Sequence, residues 1–430
     1  MNYQLVLKNT KLGDGTTVDI AIEQETIVAI DTGLSGEVEI ECLGLIALPG
    51  FVDLHTHLRE PGFEASETVL TGSRAAAKGG YTAIHPMANT NPVADTAGVV
   101  EQVKALGDAA GYVDVFPIGA VTVDLGGVQL AELGAMADSK AKVRVFSDDG
   151  KCVSDPLMMR RALEYVKKFD GVIAQHAQDP RLTEGAQMNE GQVSAQLGLT
   201  GWPGVAEESI IARDVMLAET LDSRIHICHL STARSVEIVR WAKQRGIRVT
   251  AEVTPHHLLL TDELARTYDP VYKVNPPLRT EADVLALREA LIDGTIDIIA
   301  TDHAPHPAEA KECEWDAAAF GMVGLETAVS VAQLVLIDSG RSNWQRLAEV
   351  MSLNPAKIAA DLGQGEAIKV GSTANLALVD PAVQREIVAV TESKSRNNPF
   401  AGMTLPGRVV HTIYRGRPTV LDGSIVEVAR

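Results

Sequence analysis

The sequence predicts an α/β fold: a TIM (β/α)8 barrel carrying a small composite β-sandwich domain formed from both termini. Three observations predict it. Eight apolar, strand-like runs recur through residues 49–365 with helical stretches between them, the order of β–α units in a parallel barrel. Residues 1–48 and 366–430 read instead as short strands separated by polar turns. No strand-like run is followed by the GxGxxG turn that a doubly wound dinucleotide-binding sheet would carry.

In chain order, YQLVL, TTVDIAI, TIVAI and VEIECLGLIALPG are the N-terminal strands, with Gly13-Asp14-Gly15 marking a turn. The barrel strands are Phe51–His57, Tyr81–Met87, Val113–Val121, Val143–Asp149, Gly171–His176, Arg224–His229, Arg248–Thr254 and Asp297–Asp302. Ser154-Asp155-Pro156 opens a helix, with a capping side chain followed by proline in the first turn. Thr280-Glu281-Ala282-Asp283 opens another, which Gly294 closes. ANLALVD, GRVVHTIYRG and PTVLDGSIVEV return to the strand-and-turn pattern.

Composition narrows the function classes. With 46% hydrophobic residues in a 430-residue chain, a large core can form and disorder is excluded as the main state. Lys+Arg is 38 against Asp+Glu 57, a net charge of −19. No Lys/Arg-rich run offsets it, so neither nucleic acid nor an anionic membrane is an expected partner. The four cysteines are far apart and form no CxxC pair, which argues against disulfides and cysteine zinc sites and for a reducing compartment. The N-terminus lacks a secretory apolar segment, and no apolar run reaches the ~20 residues that span a bilayer. A cytoplasmic location is expected.

Chemistry concentrates at the strand ends, where barrel active sites are built. Ten of the eleven histidines lie between positions 55 and 306. Asp53-Leu54-His55-Thr56-His57-Leu58-Arg59 closes the first barrel strand, and its i, i+2 imidazoles can face one side together. His176 ends the fifth strand, His229 the sixth and Asp302 the eighth. A carboxylate directly after an apolar run such as Ile298–Thr301 needs a partner, either a metal or a salt bridge. Asp148-Asp149 ends the fourth strand, and the pair alone does not say which carboxylate enters the mouth. Strand parity places His229 with Ile227, and His226 with Cys228 on the outward, helix-packed face. Four histidines and at least two aspartates exceed the needs of one tetrahedral zinc. They suit a pair of metals ~3.5–4 Å apart bridged by a carboxylate, which activates water and polarises an amide carbonyl.

These residues resemble a known family. DLHTHLREPG (53–62) looks like the signature of cyclic amidohydrolases, and its Arg-x-Pro-Gly ending is closest to dihydroorotases. GGYTAIHPMANTNPV (79–93), FSDDG (146–150), QHA (175–177), CHLST (228–232), TPHHL (254–258), VNPPLR (274–279), TDHAPH (301–306) and NPFAGMTLPG (398–407) extend the likeness over most of the chain. It is to the hydantoinase-like type of dihydroorotase, which has the same composite β domain.

The resemblance implies a binuclear site with two Zn²⁺ per subunit. His55, His57 and Asp302 would hold one ion, His176 and His229 the other, and Asp149 would bridge them. Lys151 is the alternative bridge, because hydantoinases use a carboxylated lysine. Arg59, Asn89, Asn275, His306, Phe320 and Gly321 match substrate-binding positions, with His57 close to them. For Arg59 the chemistry agrees: two residues beyond His57, its guanidinium can hold a carboxylate bidentately.

The implied reaction is reversible closure of N-carbamoyl-L-aspartate to dihydroorotate in pyrimidine (UMP) synthesis, with Asp302 moving the proton. A homo-oligomer is the default expectation, and a complex with aspartate carbamoyltransferase is a further possibility of the type. Two other readings compete. A hydantoinase or allantoinase would have no substrate carboxylate for Arg59, and a non-catalytic scaffolding subunit would be expected to have lost ligands, whereas all six positions are filled. His85 and Ala88 depart from relatives, which more often have an apolar or small residue and a proline there. His85 reads either as a packed barrel histidine or as one approaching the site, and His256-His257 as structural or supporting groups. Residues 304–321 read as a lid or as a solvated loop.

Overall fold

The computed structural model describes residues 2–361, 363–389 and 391–427. Strands from both ends of the chain share one nine-stranded sheet. Its N-terminal members are β1 (Asn2–Leu12), β2 (Thr17–Glu23), β3 (Thr26–Asp31), β4 (Ser35–Glu41) and β5 (Ile46–Pro49). The segment VEIECLGLIALPG thus divides in two at the turn after Glu41. Alternation in β1 and β2 buries Leu5, Leu7, Ile20 and Ile22 against Leu376, Leu378 and Ile413 from the C-terminal part, in one apolar cluster.

The eight barrel runs all contain strand. They are β6 (Phe51–Thr56), β7 (Tyr81–Pro86), β8 (Asp114–Val115), β9 (Val145–Phe146) and β10 (Val172–Gln175). After a short pair, β11 (Met188–Asn189) and β12 (Gly201–Trp202), come β13 (Ile225–Ile227), β14 (Val249–Val253) and β15 (Ile298–Ile299). They form two parallel arcs, β6-β7-β8 and β9-β10-β13-β14-β15. Parallel bridges Gly119–Phe146 and Thr56–His303 join the arcs at both seams, with His57 N donating to His303 O at 2.8 Å. The helix signals hold as well. Asp155 caps Pro156–Val166 by accepting from Met158 N, and Thr280 caps Glu281–Asp293, which ends at Gly294 with φ 85°.

The strands β16 (Leu376–Glu386), β17 (Thr404–Tyr414), β18 (Arg417–Leu421) and β19 (Ser424–Ile425) complete the sheet, β16 pairing antiparallel with β5. Val428, the end of the segment PTVLDGSIVEV, lies outside the described residues. No helix among those described is long and apolar enough to cross a membrane.

The parity assigned to the sixth barrel strand is corrected. Cys228 clusters with Leu54, Met87, Ile118, Val145, Ala174 and Ala300, residues in or just after seven of the eight strands, which places it on the inner face that they share. Ile225 and Ile227 instead join the cluster that holds the helix residues Val236 and Val239. His226 therefore faces inward, fully buried. His229 follows the strand end with φ 31°, and this left-handed backbone, unusual outside glycine, re-aims its ring.

Among the contacts that tie the sheet to the barrel is one buried carboxylate. Asp114 on β8 accepts from Tyr414 Oη at 2.8 Å, Gln364 Nε2 at 2.8 Å and Arg415 Nη2 at 2.9 and 3.0 Å. Asp114→Ala is expected to lower the unfolding free energy by about 2–4 kcal/mol, between one unsatisfied buried group and a broken buried ion pair, because Arg415 is partly exposed. Denaturant melts test this. A loss under about 1 kcal/mol, typical of a surface ion pair, would contradict it.

Candidate metal centre

Six side chains converge where the strands end. Asp149 Oδ1 lies 3.1 Å from His176 Nδ1, 3.4 Å from His55 Nε2 and 3.5 Å from His229 Nε2, and its Oδ2 lies 3.3 Å from His57 Nε2. Asp302 Oδ1 is 3.1 Å from His57 Nε2 and 3.4 Å from His55 Nε2. His176 Nδ1 and His229 Nε2 are 2.8 Å apart. All six residues are buried. Three overlapping groups have metal-ligand spacing: His55, His57 and Asp149; His55, His229 and Asp302; and Asp149, His176 and His229.

The backbone explains how distant segments meet here. Asp302 has φ 47°, His229 φ 31° and Arg59 φ 63°. Strained backbone of this kind persists where the surroundings over-determine it, as at functional sites. Register shifts between β6 and β7 likewise break the strict alternation on which parity arguments rest.

The donor set fits divalent metal. His55 Nε2 is buried without a hydrogen-bond partner, while its Nδ1 is 2.6 Å from Glu252 Oε1. A carboxylate behind one ring nitrogen fixes the tautomer that offers the other to a cation. His57 repeats the device with Nδ1 2.9 Å from Asn89 Oδ1. Burial raises the Asp302 carboxyl, but His55 and His57 outweigh it and bring it down to about 2. A fourth group, His55, Cys228 and Glu252, has similar spacing. Burial, reinforced by Glu252, pushes the Cys228 thiol well up, which disfavours the thiolate a metal needs.

Within the Asp148-Asp149 pair the roles separate. Asp148 accepts from Val121 N at 2.8 Å and Thr122 N at 3.0 Å, and from the Thr122 hydroxyl. Its carboxylate is thereby committed to the preceding loop. Lys151 is exposed, unlike the six buried side chains of the cluster.

The other expected residues sit around the mouth. Arg59 Nε donates to Pro305 O at 3.2 Å, and its Nη2 lies 3.4 Å from His306 Nε2. Burial lowers its guanidinium to about 10, against the opposing pull of Asp302 and Asp149. Asn89, besides holding His57, points its amide nitrogen at Asp149 O, 3.5 Å away. His306 Nε2 donates to Phe320 O at 2.7 Å. Gly321 leaves room for that imidazole, since a Cβ there would lie 2.7 Å from Nε2. Asn275 Nδ2 donates to Gln178 Oε1 at 3.0 Å.

Residues 304–321 are exposed at Ala308, Glu309, Glu312, Glu314, Asp316 and Ala317 and anchored at both ends and at Lys311. Lys311 is buried and its Nζ donates to Lys273 O, Ala319 O and Gly321 O at 2.9–3.1 Å. Asn397 Nδ2 donates to Ala304 O at 2.9 Å and Gly321 O at 3.1 Å.

His85 does not approach the cluster. Its Nδ1 donates to Asp53 O at 2.9 Å and its Nε2 pairs with Asp361. His257 is spanned between Thr254 Oγ1 and Pro276 O. His256 is buried with an unpartnered Nε2, and burial lowers it to about 4.

Sequence reasoning missed Glu252 and Gln178. Glu252 also lies 3.0 Å from His226 Nε2 and accepts from His229 N at 3.1 Å. A lone carboxylate inside the run RVTAEVT was the available signal. Gln178 had none beyond its position two residues after His176.

A family profile described as dihydro-orotase-like matches residues 44–235. The dihydroorotase of Streptomyces coelicolor is 65% identical over 98% of this chain and 99% of its own length. That of Mycobacterium tuberculosis is 52% identical over 96% and 97%. Among solved structures, L-hydantoinase (dihydropyrimidinase) from Arthrobacter aurescens superposes with a TM-score of 0.88 at 26% identity, covering 99% of this chain and 98% of its own. D-hydantoinase from Thermus sp. gives 0.81 at 26% identity, over 98% and 96%.

The separation of the two aspartates yields a direct test. Asp149→Ala is expected to lower bound metal per subunit, because a cation among these imidazoles would lose the anion that neutralises it. Asp148→Ala is expected to keep near-normal metal content while losing stability. Elemental analysis of both purified variants checks this, and the reverse pattern would contradict it.

Proposed function

The chain belongs to the dihydroorotase family, and on that premise we propose a binuclear zinc mechanism for reversible closure of N-carbamoyl-L-aspartate to dihydroorotate. The family assignment carries the activity itself: relatives 44–65% identical over nearly the full length are dihydroorotases. The observation that carries the mechanism is the burial of His55, His57, His176, His229, Asp149 and Asp302 in one cluster. We read His55, His57 and Asp302 as holders of one ion, His176 and His229 of the second, and Asp149 as the bridge. When bound, such a pair supplies Lewis acidity and a water-derived nucleophile near neutral pH.

The protein's own groups do the rest. Asp302 engages both imidazoles through Oδ1, and its Oδ2 makes no hydrogen bond among the described residues. In the hydrolytic direction Asp302 takes the proton that the attacking water loses. It returns that proton to the ring nitrogen as the C–N bond breaks, and cyclisation runs the same transfers in reverse. Arg59, beside His306, is read as the group that holds the substrate carboxylate, with His306, Asn89, Asn275, Phe320 and Gly321 completing the contacts.

The domain reading is residues 1–48 and 366–430 as the composite β domain and 49–365 as the barrel. The two arcs and their bridging seams support a closed (β/α)8 barrel. A cytoplasmic homo-oligomer, able to associate with aspartate carbamoyltransferase, completes the proposal.

The structural likeness to hydantoinases favours one alternative substrate class, so the test compares substrates. The zinc-loaded protein is expected to turn over dihydroorotate and to leave hydantoin and allantoin essentially untouched. Preference for either of the latter would overturn the assignment. Asp302→Asn is expected to cost about 10²–10⁴-fold in kcat, the range of general acid–base catalysis, while remaining largely metallated. Near-normal kcat with full metal would reject the proton transfer, and activity lost in step with metal would leave Asp302 only a ligand.

A further inference from the structure

A chain of hydrogen bonds behind the cluster begins at a group whose polarity cannot change. The backbone carbonyl of Asp179 can only accept, so the Thr183 hydroxyl donates its single proton there, at 2.9 Å. Thr183 Oγ1 must then act as acceptor toward Gln178, whose Nε2 donates to it at 2.8 Å. That contact fixes the orientation of the Gln178 amide. The flipped amide would set its oxygen against the Thr183 oxygen, and a proton could lie between them only if Thr183 gave up its bond to Asp179 O.

Gln178 Oε1 is thereby turned toward two further groups. His176 Nε2 lies 2.7 Å away and Asn275 Nδ2 lies 3.0 Å away. Both must donate to it. His176 is therefore protonated on Nε2 when its ring is neutral, and Nδ1 keeps its lone pair. Nδ1 is the atom that faces Asp149 at 3.1 Å and His229 at 2.8 Å. Asn275, with its NH2 committed to Gln178, keeps Oδ1 as an acceptor. That oxygen is buried and has no partner among the described residues, and a buried acceptor left without a donor is costly.

We propose that Gln178 is a positioning residue that sets the tautomer of His176 and the amide orientation of Asn275 through one carbonyl oxygen. It thus presents a lone pair to a metal and, on Asn275, an acceptor for a substrate N–H group, as a cyclic ureide supplies. The inference rests on the reading of His176 as a metal ligand. It links metal affinity and substrate affinity through a residue that touches neither.

The test titrates metal-free protein with Zn²⁺ against a chromophoric chelator and measures KM for dihydroorotate on zinc-loaded protein. Gln178→Met keeps the length of the side chain and removes the acceptor. It is expected to weaken one of two zinc sites by roughly 10–100-fold, as for other groups that orient metal-bound histidines, and to raise KM more than it lowers kcat. Gln178→Glu keeps the acceptor and should restore zinc binding to within a few-fold of the parent. Thr183→Val frees the amide to rotate and should show the same losses in smaller measure, which keeps the test decisive if Gln178→Met does not fold.

Wild-type zinc affinity and KM in Gln178→Met would overturn the proposal. So would a Glu variant that melts normally yet is as defective as Met, or a Thr183→Val variant indistinguishable from the parent. A parent protein that takes up no zinc would instead overturn the metal-centre reading, and this proposal with it.

Discussion

Two buried carboxylates facing one another's histidines set the terms for the whole barrel mouth. Asp149 and Asp302 both approach the Nε2 of His55, at 3.4 Å each, and Glu252 stands behind that ring at 2.6 Å. Three buried anions around one imidazole are too costly to hold without compensating positive charge. The ring nitrogens supply part of it, and divalent cations fit the remainder. The geometry that brings the carboxylates together is thus also the geometry that calls for metal.

That requirement reaches outward through hydrogen bonds whose direction is fixed. Glu252 orients His55, Asn89 orients His57 and Gln178 orients His176. Each leaves the opposite ring nitrogen free for the centre, the usual way a protein pre-organises histidine ligands. The rim of the mouth is held as well. Lys311 and Asn397 tie residues 304–321 to the neighbouring backbone, and Arg59 anchors to Pro305. Asn397 lies between β16 and β17, so the C-terminal sheet segment helps shape the mouth as well as the small domain.

Much of this was legible in the chain. The eight apolar runs, the caps at Asp155 and Thr280, and the ligand-type residues at strand ends all follow local rules, and the structure brings those six side chains together. Parity failed where the backbone leaves the strand geometry on which it depends. His229 turns through a left-handed φ, and His226 proved inward-facing because Cys228 packs on the inner face that the strands share. Glu252 and Gln178 were missed for another reason. Glu252 acts on His55, 197 residues away, and Gln178 acts on Asn275, 97 residues away, as well as on neighbouring His176; no local pattern encodes the distant pairings. The choice between Asp148 and Asp149 was likewise invisible until Val121 and Thr122 were seen to claim the first.

The central claim is that the mouth holds a metal pair in an all-nitrogen and oxygen shell, although Cys228 lies within ligand spacing of His55 and Glu252. X-ray absorption at the metal edge of the purified protein tests this most directly. The account predicts nitrogen and oxygen scatterers at about 2.0–2.2 Å and a metal–metal vector at about 3.5–4 Å. A sulfur scatterer at about 2.3 Å, or a spectrum with no metal–metal vector at full loading, would contradict it.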